Sequence, residues 1–181
     1  MSVASLEADM AAAFPPCPAD DFAAMATQAL AGEYFGDALF AALVEDAERD
    51  QDRALWNRMR RVESATIACL EPMMARHGLP QPPRAPLAAL GARAAAAFPG
   101  ARHEEFCSWV APQVPPALES FRSLLALCEA PEDKAACSQL VHHELAIAQC
   151  LDRLDDGIEI AAAALDAHLA EVERIPRRPC H

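Results

Sequence analysis

The chain of 181 residues has no CxxC pair, no stretch near the roughly 20 unbroken apolar residues of a membrane span, and no basic start followed by an apolar run. The missing span argues against a membrane protein, and the missing leader pattern predicts the cytoplasm as the compartment. Cysteine is present seven times, at positions 17, 69, 107, 128, 137, 150 and 180, but in an odd number and scattered spacing. That pattern argues against a disulfide framework and a structural zinc site, and reads most of the thiols as small buried hydrophobes. Positive charge is scarce too: 15 Lys and Arg face 27 Asp and Glu, a net charge of −12. A field of that sign repels phosphate backbones and anionic lipid, so neither nucleic acid nor a membrane surface is expected as a partner. No nucleophile elbow, glycine-rich phosphate loop or HExxH motif occurs. No segment alternates as a strand does, and there is no internal repeat.

Alanine supplies much of the 53% apolar content. Alanine-rich sequence poor in β-branched residues favours helix, because alanine gives up no side-chain entropy on entering one. Proline and glycine then punctuate the helices. Phe14-Pro15-Pro16-Cys17-Pro18 closes an N-terminal arm or short helix over residues 1–19. Asp20 or Asp21 offers an N-cap for a long helix to about Arg49. A second runs from about Asp50 to His77 and stops at Gly78. The short link makes the two antiparallel neighbours. Residues 79–86 form a proline-rich crossover. Further helices are predicted over about 86–98, from near Arg102, over 116–129 after Pro112, Pro115 and Pro116, over 131–154 and over 158–174. Pro176 and Pro179 mark a tail at 176–181, which leaves 20–175 as one helical domain.

Helical spacing shows which face each long helix buries. The first stripe reads Ala26, Ala29, Glu33, Gly36, Phe40, Leu43, Ala47. The second reads Trp56, Met59, Glu63, Thr66, Leu70, Met73, His77. The stripe of the 131–154 helix reads Cys137, Leu140, Glu144, Ile147, Leu151, Leu154. Each holds one carboxylate near its middle, and a buried lone carboxylate costs several kcal/mol. Three at one level persist by binding cations, sharing protons or pairing with arginine. Arg60 and Arg61 beside Glu63 are the pairing candidates, and His143, beside Glu144, reaches the stripe edge. The plainer alternative is glutamates at the boundary, exposed or salt-bridged. Gly32 and Gly36 bracket Glu33 at a cost of about 1 kcal/mol each, which implies a close helix contact or room for a ligand. His103-Glu104-Glu105 reads as an exposed helix start, His77 as a last-turn residue, His168 as a satisfied core histidine, and Trp56 and Trp109 as core. The terminal Cys180-His181 pair could bind metal adventitiously.

Gly32-Glu33-Tyr34-Phe35 with Leu39-Phe40, Glu63-Ser64-Ala65-Thr66, Leu70-Glu71-Pro72, Arg76-His77-Gly78-Leu79, His143-Glu144 and Gly157 together resemble the ferritin-like superfamily, including its rubrerythrin-like bacterial members. The resemblance covers about 20–157. It implies an all-α, antiparallel four-helix bundle with additional short helices. Ferritin-like di-iron proteins place a Glu on each of two helices and a Glu-x-x-His on each of the other two. Carried over, Glu33, Glu63 and Glu144 match metal-ligand positions. Thr66 and Ile147 stand where the two histidines belong, and Glu119 lies off the third helix's stripe of Val114, Leu118, Phe121, Leu125 and Cys128. The implied metal set is thus Glu33, Glu63, Glu144 and His143. It would hold iron or manganese in a metal-binding protein or a degenerate oxidoreductase, or persist as a metal-free relic held by protonation. Competing readings are a non-catalytic binding or assembly module, including a homodimer, and a small-molecule pocket opened by Gly32, Gly36 and the alanines.

Overall fold

A computed structural model describes residues 3–174. The predicted tail at 176–181, with Cys180 and His181, lies outside them. The chain is all helical: α1 (Val3–Ala13), α2 (Phe22–Asp46), α3 (Asp50–Arg76), α4 (Arg84–Ala95), α5 (His103–Val110), α6 (Val114–Leu127), α7 (Pro131–Asp152) and α8 (Ile158–Arg174), with no strand among the described residues. Pro15, Pro16 and Pro18 hold the chain out of helix after α1. Asp21 caps α2 by accepting from the Ala24 amide at 3.0 Å. At the end of α3, Gly78 takes the left-handed conformation (φ +62°) and the Leu79 amide reaches back to the Met74 carbonyl. That double turn satisfies the end carbonyls where the sequence predicts a stop. One boundary differs from expectation. Pro115 and Pro116 do not precede α6 but sit in its first turn, where the missing amide protons cost nothing.

The three-residue link 47–49 folds α3 back along α2, and α4 packs on α2's other side. α7 lies against α3 and α6, α6 leans back onto α2, and α8 covers α3 and α7 from outside. α2, α3, α7 and α6 thus each touch the next around one interior. Two apolar clusters fill it. One is built on Phe40, Leu43, Trp56, Met59, Phe106 and Ile147. The other is built on Met25, Leu30, Leu70, Met73, Leu124 and Leu140. Aromatic packing anchors the first. Phe106 meets Trp56 at 4.9 Å and Phe98 at 5.3 Å between ring centres, and Trp56 Nε1 donates to the Ala101 carbonyl at 2.7 Å.

The seam between the clusters falls at one level on three helices. On α2 it falls at Tyr34 and Phe35, on α3 it lies between Val62 and Leu70, and on α7 between Leu140 and Ala146. The buried polar residues Glu33, Glu63, Thr66, His143 and Glu144 occupy that seam.

Candidate metal centre

Glu33 comes from α2, Glu63 from α3 and His143 from α7. They are 3%, 6% and 2% exposed. Each offers one ligand atom such that the three atoms lie within 4.8 Å of one another. His143 Nδ1 is 3.2 Å from Glu33 Oε2, and His143 Nε2 is 3.5 Å from Glu63 Oε1. These are ion-pairing distances without hydrogen-bond alignment: Glu33 Oε2 and His143 Nε2 are buried atoms with no hydrogen-bond partner. Thr66 fixes the ring. Its hydroxyl donates to the Val62 carbonyl at 3.1 Å, which leaves its oxygen to accept from His143 Nδ1 at 3.3 Å.

Gly36 makes the space. A methyl group there would lie 2.6 Å from Glu63 Cδ and within 2.8 Å of both carboxylate oxygens. Of the two expectations for this glycine pair, Gly36 is a close contact onto the site. Gly32, with nothing near its missing side chain, opens onto the cavity beside it. That cavity, about 190 Å³, is walled by Phe35, Phe40, Met59, Trp109 and Phe121 and also touches Glu144.

Burial, reinforced by the nearby Glu33, pushes the Glu63 carboxyl up to about 8 against the opposing pull of His143. Burial pulls His143 down, but Glu33 and Glu63 more than offset it and hold the imidazole well above its usual value. Glu144 is raised to about 7, chiefly by burial. The centre therefore holds protons in neutral solution when no cation replaces them.

Of the four residues expected as ligands, the structure brings Glu33, Glu63 and His143 together. Glu144 lines the same cavity but is not one of the converging three. Arg60 and Arg61 do not pair with Glu63; they reach outward to Asp37 and Glu173. Glu119 is exposed. His103 is not at a free helix start: it holds the fully buried Asp52 at 2.6 Å, helped by Arg49, which also binds Glu104. His77 caps α3 and binds the buried Asp133 at 2.7 Å, beside Arg76. His168 is buried as expected but not satisfied, since its Nε2 has no partner. The single tyrosine, Tyr34, donates to Glu71 at 2.8 Å under the guanidinium of Arg84, away from the centre. The role of Thr66 escapes a sequence reading that weighs it only as a replaced histidine. Its place on the Glu63 stripe, one turn on, is the signal that could have found it.

No family model, curated protein or solved structure matches this chain.

Proposed function

We propose that this chain is a metal-binding protein with a ferritin-like four-helix bundle, formed by α2, α3, α6 and α7, in which Glu33, Glu63 and His143 hold one divalent cation. The observation that carries this reading is the pair of buried atoms without a hydrogen bond, Glu33 Oε2 and His143 Nε2, beside the Glu63 carboxylate. An unsatisfied buried polar atom costs about 1–3 kcal/mol, and a cation between these residues would satisfy both. Two carboxylates with one imidazole suit iron(II) or manganese(II) better than a soft ion. The set fits one cation rather than two. Thr66 and Ile147 occupy the positions where a di-iron protein has histidines, and Thr66 serves to orient His143.

A cation bound there would supply Lewis-acid or one-electron chemistry to a small molecule in the adjoining cavity. The protein's own part is clearer in detail. Thr66 holds the imidazole, Gly36 leaves room for the Glu63 carboxylate, and Phe35, Phe40 and Trp109 give the cavity apolar walls. Glu144, raised to about 7, takes up or releases a proton at the cavity wall. The test is elemental analysis of protein purified without chelator, followed by anaerobic titration with Fe²⁺ and Mn²⁺. About one equivalent should bind. Glu33→Gln should weaken binding at least about 100-fold, and Glu144→Gln should keep the stoichiometry. Protein free of metal that takes up neither ion would leave the metal-free, proton-sharing cluster in its place.

A second reading has one observation behind it. A groove of about 1030 Å³ between α1, α2 and α4, lined by Phe14, Ala31, Leu87 and Leu90, could receive an apolar small molecule. Saturable binding of an apolar fluorescent probe, lost in Leu87→Asp, would support it. The assembly alternative has less to stand on, since Ile160 is the large apolar side chain left exposed among the described residues.

A further inference from the structure

Three sulfur atoms meet in the second apolar cluster, well away from the carboxylate centre. Met73 lies ten residues along α3 from Glu63, about 15 Å. Cys137, on α7, is fully buried, and Cys128, which ends α6, is 5% exposed. The two thiol sulfurs are 3.3 Å apart, and Cys137 Sγ is 3.7 Å from Met73 Sδ. A lone cysteine in a core is ordinary packing, but two thiols and a thioether in a row, with Cys137 touching both of the others, are a ligand set.

We propose that Cys128, Cys137 and Met73 form a second, separate site that binds one soft monovalent cation of the copper(I) class. At metal–sulfur distances of about 2.3 Å, sulfurs 3.3 and 3.7 Å apart subtend about 90° and 107° at a common centre. Three-coordinate geometry then requires the Cys128 and Met73 sulfurs, which flank Cys137, to close on one centre by side-chain rotation. The third ligand decides the metal. Zinc takes thiolate, imidazole or carboxylate, whereas a thioether beside thiolates selects copper(I). A disulfide would use the two cysteines and leave Met73 without a role. Binding exchanges protons, not electrons. Both thiol protons leave to solvent, the Cys128–Cys137 S–H···S contact is lost, and the cation takes the two thiolates with the Met73 sulfur. Burial raises both thiols, so a weakly competing hard cation does not displace those protons. Leu124 and Leu140 in the same cluster keep water from the site. Cys128 sits at the three-residue α6–α7 link, a short path from solvent.

The experiment uses the full chain carrying Cys180→Ser, so that the terminal cysteine adds no sulfur. The reduced protein is titrated anaerobically with copper(I) in acetonitrile against a coloured copper(I) chelator. One equivalent should bind. Cys137→Ser should weaken it at least 100-fold, Met73→Leu about tenfold, and Cys107→Ser, a buried thiol outside the cluster, not at all. Met73→Leu conserves volume, so it folds even if Cys137→Ser does not, and circular dichroism reports both. Failure to take up copper(I) overturns the proposal, whether the thiols stay reduced or close into a disulfide. Affinity unchanged in Met73→Leu overturns it too.

Discussion

Glycine inside a helix costs about 1 kcal/mol relative to alanine, so Gly36 in the middle of α2 needs a reason, and the Glu63 carboxylate 2.6–2.8 Å from any methyl there is one. Gly36→Ala should therefore destabilise the protein by about 1–3 kcal/mol, because Glu63 must leave its place. In a Glu63→Ala background the carboxylate is gone, and the same change should stabilise by up to about 1 kcal/mol. Urea denaturation of the four proteins reads the sign in each background, and the same sign in both would refute the contact. Glu63 itself gives a second prediction. With its carboxyl raised to about 8, the metal-free protein carries a proton there at neutral pH. Glutamine resembles that protonated form, so Glu63→Gln should change metal-free stability at pH 7 by less than about 1 kcal/mol. Its affinity for Mn²⁺ should nonetheless fall at least about 100-fold. A large stability loss together with retained Mn²⁺ binding would reverse both assignments.

Among the elements, legibility depended on whether the signal was local. Helix spans followed from proline, glycine and capping residues, which act on their own backbone, and α2, α3 and α7 end within three residues of where punctuation places them. Partners across helices did not follow. Arg60 and Arg61 are Glu63's neighbours in sequence, but nearby helix positions point to different sides, and both arginines turn to solvent. On α7 a single stripe favoured Glu144 over His143. That reading assumes one covered face, whereas α3, α6 and α8 all pack on α7 and widen its buried arc to include both. Gly91 carried no signal, because only tertiary packing makes it matter. Its missing methyl would lie 2.7 Å from the Phe35 carbonyl and 2.8 Å from the Leu39 amide nitrogen, backbone atoms that cannot step aside. Gly91→Ala should then force α4 off α2 and cost about 2–3 kcal/mol, despite the gain in helix propensity. A urea midpoint equal to or above wild type would show that α4 does not sit this close.

For the molecule as a whole, the buried protons tie folding to pH in a way that metal should invert. Glu63 at about 8, Glu144 at about 7 and His143 well above its usual value each hold a proton more tightly folded than unfolded. Their contribution to stability is complete below the unfolded values, 4.5 for the acids and 6.5 for the histidine, and is lost as pH rises through the folded ones. Glu104 and Asp133 are shifted the other way, held below the ordinary carboxylate range by Arg49 and by Arg76 with His77, against the opposing effect of burial. What they contribute is lost only in acid; His168, lowered to about 4 chiefly by burial, opposes the trend up to its ordinary 6.5, where Glu63 and Glu144 together outweigh it. The stability of chelator-treated protein should fall between about pH 5 and pH 9, by on the order of a few kcal/mol at the alkaline end, and its melting temperature should fall with it. The net charge of −12 adds general repulsion, so Glu63→Gln is the control: it removes one titrating group and should flatten the decline. A divalent cation competes with those protons, so its binding tightens with pH and the stabilisation it gives grows over the same range. Calorimetry of metal-free and Mn²⁺-saturated protein across that range should give curves that diverge with rising pH. Parallel curves would mean that the cation displaces none of these protons and binds elsewhere.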